Sequence, residues 1–280
     1  MEEYSFKYGI YDSAMIDKVV TLFTKAFYWT NKFSKEYLEW QYLKNPNGTV
    51  VSFNAFSEDG TLAAHYAAIP VKMRLNGKEE IGLLSVNTAT HPNHQGKKLF
   101  TRLATKAYKY AQENGYKFIV GVANANSTHG FLKHLGFYLV SPLEFKVGFG
   151  NIFKKGIYEN KNRFSYDLET LQWRIHCPAY DYYTSKGILY SNRPEPFFHS
   201  CVALLPDGVD GKTLNLQRDN NIFNIYVGLG VQPKSGLYFN IPKFIKRSPF
   251  NLVFKDLTGG SLPVLTSENI FFQLLDFDVA

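Results

Sequence analysis

The stretch from Leu83 to Phe137 constrains the fold of this chain more than any other. Leu83–Thr90 is apolar and β-branched, the composition of a buried strand. His91-Pro92-Asn93-His94 interrupts it, because proline fixes its own φ and turns its predecessor away from helix. Gln95-Gly96-Lys97-Lys98-Leu99-Phe100 then opens a helix. Leu99, Leu103, Ala107 and Tyr110 fall at helical spacing along it, and Asn114-Gly115 is its stop. Phe118–Ala123 reads as a second buried strand, and Leu135-Gly136-Phe137 closes the segment.

A short turn between a strand and a helix leaves backbone N–H groups unpaired, and the helix dipole adds partial positive charge there. A pyrophosphate matches such a concavity. Gly96 lets the chain approach a ligand closely, and Lys97, Lys98 and Arg102 surround it with positive charge. An ordinary strand-turn-helix connection with a solvated basic face has the same pattern, so the segment alone leaves both readings open.

The residues also carry a resemblance. Thr90-His91-Pro92 followed by Gln95-Gly96-Lys97-Lys98-Leu99-Phe100 resembles the coenzyme A loop of the GNAT acetyltransferases, Gln/Arg-x-x-Gly-x-Gly/Ala after a strand. Lys98 and Phe100 stand where that family's two signature glycines are expected. Asn126 through Leu135-Gly136-Phe137 resembles its later Asn and Tyr-x-x-x-Gly-Phe signature, with Leu132 at the tyrosine position. The resemblance covers residues 1–148. It implies an α/β fold with a mixed sheet, the acyl-CoA N-acyltransferase (GNAT) fold, and acetyl-CoA as cofactor. The implied cofactor contacts are Thr88, Ala89, Thr90, Gln95, Gly96, Lys97, Lys98, Leu99, Phe100 and Asn126.

Composition supports a packed protein with an anionic ligand. Of 280 residues, 45% are hydrophobic, and the net charge of +7 suits a phosphorylated cofactor. Nucleic acid is not expected, since no run of five basic residues occurs. Cys177 and Cys201 make neither a disulfide framework nor a metal site. The acidic Met1-Glu2-Glu3 start lacks the order of a signal peptide, and no apolar run reaches the roughly 20 residues needed to span a bilayer. The expectation is a soluble, cytoplasmic protein without metal or membrane insertion.

In chain order, residues 4–8 read as a strand, and Asp12 or Ser13 caps a helix to about Phe27. A short helix follows over Ser34–Tyr42, then strands over Val50–Phe56 and Leu62–Met73. Tyr28, Trp29 and Phe33 lie between the two helices, a region that borders the acceptor site in the resembled fold. They are candidate substrate contacts, and core packing is the competing role.

Residues 149–280 contain an echo. Tyr37-Leu38-Glu39-Trp40 with Asn45-Pro46 is matched by Thr170-Leu171-Gln172-Trp173 with Cys177-Pro178. A strand pair follows in each half, ending here at Gly187–Pro206. The expected continuation is a central strand over Asn221–Val231, a helix over Leu237–Lys246, and last strands over Asn251–Asp256 and Asn269–Val279. This reads as a degenerate, duplicated GNAT-like half that binds no coenzyme and covers the acceptor site. The expected domains are therefore 1–148 and 149–280, with the Ala280 carboxylate held in place.

The implied activity is transfer of an acetyl group from acetyl-CoA to a primary amine of a small molecule, such as an amino sugar or aminoglycoside. The alternative is an inactive GNAT-fold protein that binds or senses coenzyme A. Candidates for the base are His65 with Tyr66, Glu144, and from the second half Asp276 and Asp278. Leu132 cannot supply the proton that tyrosine gives the thiolate in many relatives.

Overall fold

The computed structural model describes residues 3–153, 156–192, 198–217, 223–231, 235–241 and 249–277. The first half runs β1 (Ser5–Tyr8), α1 (Ser13–Ala26), α2 (Lys35–Leu43), β2 (Val51–Phe56), β3 (Leu62–Leu75) and β4 (Lys78–Thr90). It continues with α3 (Leu99–Glu113), β5 (Phe118–Ala123), α4 (Ala125–His134), β6 (Tyr138–Pro142) and β7 (Glu144–Asn151). Side chains set the helix starts. Asp12 accepts from the Met15 N–H, Ser34 from the Tyr37 N–H, and Asn124 forms a capping box with Ser127.

The second half contributes β8 (Arg163–Phe164), α5 (Leu168–Ile175), β9 (Tyr182–Ser185), β10 (Ile188–Asn192) and β11 (Phe198–Leu204). After these come β12 (Phe223–Gly228), β13 (Ser235–Asn240) and β14 (Asn251–Asp256). Two mixed sheets result. One has the order β1-β2-β3-β4-β5-β14-β6 with β8 on β3, the other β13-β7-β12-β11-β10-β9.

The halves exchange strands. β14, from the end of the chain, lies between β5 and β6 and is antiparallel to both. β7, from the first half, lies between β12 and β13. An expected boundary between residues 148 and 149 therefore falls inside a strand.

Two expectations for the second half are corrected. Leu237–Asn240 is strand, not the start of a helix; it alternates against β7, and residues 242–248 lie outside the described residues. Asn269–Phe277 is no strand: it makes isolated bridges at Ile270 and Phe272 and then a 3-10 turn over Leu274–Asp276. Asp278 and Ala280 lie outside the described residues.

One apolar core runs through both halves, from Phe23, Tyr37 and Trp40 to Trp173, Phe254 and Phe272. Its centre is the tryptophan echo. The Trp40 and Trp173 rings stack with centroids 4.9 Å apart and planes inclined by 19°. Each indole N–H donates to the other's carbonyl oxygen, Trp40 Nε1 to Trp173 at 2.7 Å and Trp173 Nε1 to Trp40 at 3.0 Å. The two bonds tie α2 to α5 reciprocally. Such an aromatic pair is worth about 0.5–1.5 kcal/mol beyond the area it buries.

A candidate cofactor cleft at the fork of two parallel strands

β4 and β5 run parallel and pair only over Leu83–Ser85 with Ile119–Gly121. Beyond that point both strands continue without pairing to each other, so they open as a fork. A bulge in β4 coincides with it: Val86 faces Ala67 and Ala89 faces His65, leaving Asn87 and Thr88 opposite Tyr66 alone. Bulges bend a strand and leave a main-chain group off the ladder. Asn87 sits at φ 23°, on the positive side where asparagine is among the few side chains tolerated.

The loop after β4 makes a 3-10 turn over Pro92–His94 and enters α3 through Lys98. Gly96 has φ 76°, and a Cβ there would meet nothing within 4 Å, so backbone conformation rather than crowding requires glycine. Lys98 takes the left-handed conformation at φ 57° as the N-cap of α3 and makes no side-chain cap bond. The first α3 turn therefore has no side chain on its N–H groups, the arrangement that suits an anion.

Phe100 turns away from the loop. Its ring packs on Phe131 at 5.4 Å, and a Cβ on Gly130 would come within 2.8 Å of it. The glycine expected at 100 is thus exchanged for one at 130 in α4, and the loop amides stay unobstructed. Lys97 lies over the Tyr4 ring and Arg102 over Phe6 at 4.2 Å, so aromatic residues near and in β1 hold two of the cations. Gln95, Gly96, Lys97 and Lys98 are exposed, whereas Leu99 is buried in the α3–sheet core. Asn126 is exposed in the first turn of α4, three residues beyond β5. Thr88, Ala89 and Thr90 follow the bulge, the last two back in register with β3.

The residues expected at the reacting end are not gathered in one place. His65 is fully buried; its Nδ1 lies 2.7 Å from Asn54 Oδ1 and its Nε2 2.9 Å from the Tyr42 hydroxyl. Burial lowers its pKa to about 3, so it stays neutral with both nitrogens occupied and does not serve as a base for an acceptor. Glu144 opens β7, a strand of the other sheet, and pairs with Lys146 at 3.1 Å. Tyr66 is at the fork. Its hydroxyl lies 2.9 Å from Ser85 Oγ, at the last β4 residue paired to β5, and 3.1 Å from the Tyr108 hydroxyl. Burial pushes its pKa up to about 12, so it keeps its proton at any working pH.

Asp276 is buried far along the chain, accepting from the Tyr166 hydroxyl at 2.7 Å and the Gln273 N–H at 2.8 Å. Burial raises its pKa to about 7, partly offset by those bonds and by Arg174. Leu132 packs against the α3–α4 core. His91 caps the 3-10 turn, accepting from the Asn93 N–H.

Tyr28 and Trp29 are exposed and meet edge to face at 5.2 Å, while Phe33 packs among Phe23, Phe27 and Tyr37. Between them Lys32 lies over Tyr37 on one side and over Tyr180 of the second half on the other. Tyr180 lines a cavity of about 460 Å³ with Gln172, His176, Tyr182, Tyr183 and Gln217. This cavity belongs to the second half and lies apart from the fork. Sequence reasoning missed Asn87, Gln41 and Tyr42; the signal for the first was a lone amide inside an apolar strand. Among the described residues no cluster of metal-ligating side chains occurs, and no helix is long and apolar enough to cross a membrane.

The chain is similar in fold to known proteins. Residues 8–140 match the family model of an acetyltransferase (GNAT) domain. A GCN5-related N-acetyltransferase from Anabaena variabilis superposes with TM-score 0.61 at 11% identity, over 91% of this chain and 74% of that one. A probable N-acyltransferase of Enterococcus faecalis V583 gives 0.60 at 10% identity, over 91% and 73%. Eis1 from Mycobacterium abscessus gives 0.58 at 12%, over 91% and 74%. At these identities the likeness establishes the fold. No curated protein sequence matches the chain.

Proposed function

For a chain with the GNAT fold whose residues 8–140 match the model of a GNAT acetyltransferase domain, we propose transfer of an acetyl group from acetyl-CoA to a primary amine of a small molecule. The observation that carries this reading is the fork between β4 and β5 with an uncapped α3 N-terminus beside it. The two features suit the two ends of one extended, phosphorylated ligand. The open space at Gly96 and the outward turn of Phe100 fit coenzyme A despite the missing glycines.

When bound, acetyl-CoA supplies the acetyl group as an activated thioester. Gly96, Lys97, Lys98 and the first α3 amides hold the pyrophosphate. Thr88, Ala89 and Thr90 offer main-chain groups along the fork, with Asn126 beyond β5. The acceptor amine, deprotonated, attacks the carbonyl carbon; a C–N bond forms as the C–S bond breaks, and the departing thiolate takes a proton. Tyr66 is wholly buried with its hydroxyl held by Ser85 and Tyr108, so the proton that the amine loses is proposed to reach the thiolate through water. Tyr28 and Trp29, exposed on the loop before α2, are the proposed acceptor contacts. Amino sugars suit those rings.

A second reading has one observation in its favour. Leu132, half-buried against the α3–α4 core, stands where many relatives carry a tyrosine, as in a protein that binds coenzyme A without turning it over. Calorimetric titration with acetyl-CoA tests both. Saturable binding lost in Gly96→Trp supports the cofactor site, and thiol release with an amine panel supports transfer over sensing. Absence of binding by the parent protein sinks the proposal.

A further inference from the structure

The Asn87 side chain runs from the bulge to buried residues of α2. Its Nδ2 donates to Gln41 Oε1 and to the Tyr42 hydroxyl, at 3.2 Å in the second case. Gln41 Nε2 in turn donates to the Tyr37 hydroxyl at 3.1 Å. Asn54, His65, Tyr42, Gln41 and Tyr37 are all essentially inaccessible to water.

The directions of these bonds follow from one end. Neutral His65 has a single N–H, and Nδ1 faces the acceptor Asn54 Oδ1, so Nδ1 donates there. Nε2 must therefore accept, and Tyr42 donates its hydroxyl proton to it. The Tyr42 oxygen is then left to accept from Asn87. An amide –NH₂ is required at residue 87: a carboxylate has no proton for either partner, and alanine reaches neither. The same amide holds a residue whose φ is positive, at the point where β4 leaves β5. Its anchors Gln41 and Tyr42 directly follow Trp40, which the second half clamps through Trp173.

We propose that Asn87 is the positioning residue of the transferase centre: its amide, fastened to α2, fixes the β4 bulge so that a main-chain N–H meets the thioester carbonyl. The inference rests on the acetyl-CoA reading above. Fixing a donor in advance is what lets it act without reorganisation.

The test compares acetyl-CoA with S-ethyl-CoA, which matches it in length but lacks the carbonyl oxygen. Calorimetry on the parent is expected to show acetyl-CoA bound about three- to tenfold tighter, the range one neutral hydrogen bond gives. Asn87→Gly keeps the backbone conformation accessible and removes the anchor. It is expected to bring the two affinities within about twofold while S-ethyl-CoA binds as in the parent. Tyr42→Phe, which removes one of the two anchors, is expected to give an intermediate ratio. An unchanged ratio in Asn87→Gly overturns the proposal and leaves the cofactor reading standing. So does a parallel loss of both affinities, which is what a purely structural role produces. A parent that binds neither compound overturns the cofactor reading itself.

Discussion

Both halves of the molecule contain a parallel strand pair, β4 with β5 and β11 with β12, and they differ in what crosses between the strands. In the first half the crossover is α3, a helix of 15 residues entered through a basic, glycine-containing loop. In the second, the described part of the crossover, residues 205–217, is a series of turns held by Asp210, whose carboxylate accepts from the Lys212 and Thr213 N–H groups. A carboxylate already occupies the donors that a phosphate would need. The ability to cradle an anion thus follows the crossover helix, not the parallel pair. The second half instead gives mechanical support: β14 closes the first sheet, and Trp173 clamps α2.

If that division is right, the halves are inseparable. A chain ended before Asn251 loses β14, whose Leu252, Val253 and Phe254 are wholly buried, and exposes the edges of β5 and β6. It is expected to give no soluble, cooperatively melting protein; a folded fragment by circular dichroism would break the comparison. Next in size is Trp173→Ala, which empties the stack and removes the indole N–H that donates to the Trp40 carbonyl, while the main-chain carbonyl of residue 173 stays as the acceptor for Trp40. A loss of about 3–5 kcal/mol is expected, seen as a Tm lower by roughly 10 °C. A shift within two degrees would show that α2 needs no clamp.

A smaller effect sharpens the support role. The Asp276 carboxyl titrates near 7 in the fold, against about 4 in an unfolded chain. Folding therefore favours its protonated form; the contribution is complete below about pH 4 and is lost as pH rises through about 7. Tm is expected to fall by a few degrees between pH 5 and pH 8, and Asp276→Asn to flatten that slope. Equal slopes in both proteins would acquit Asp276. The smallest effect is at the loop. Lys98→Gly relieves a left-handed residue; net of the glycine's freedom when unfolded, it is expected to gain about 1 kcal/mol. Thermal melts should rise by roughly 2–4 °C with acetyl-CoA affinity within about threefold. A drop in Tm would mean the lysine side chain stabilises the loop.

The first half was legible because its signals are local. Asp12 and Ser34 caps, the alternation of β2 and β3, and the Gly96 loop all lie within a few residues of what they determine. Even so, Tyr108 rather than Tyr110 is the buried tyrosine of α3, since the helix face turned further toward β3. The second half misled where long-range pairing decides. Leu237–Asn240 became strand because β7 crossed over to pair with it. The candidate site divides in the same way. The cofactor loop is a contiguous pattern, but the role of His65 depends on Tyr42 and Asn54, partners that no spacing rule connects to it.

The stacked indoles make the protein its own optical reporter. Of three tryptophans, Trp40 and Trp173 lie ring on ring in the core while Trp29 stands exposed on the loop between α1 and α2. Two chromophores at that separation couple their excited states, giving a paired near-ultraviolet dichroism signal that vanishes when the halves part. Emission from Trp29 responds to whatever settles on the loop before α2. One unlabelled sample thus yields two independent spectral channels, one for the integrity of the assembly and one for the surroundings of the loop before α2.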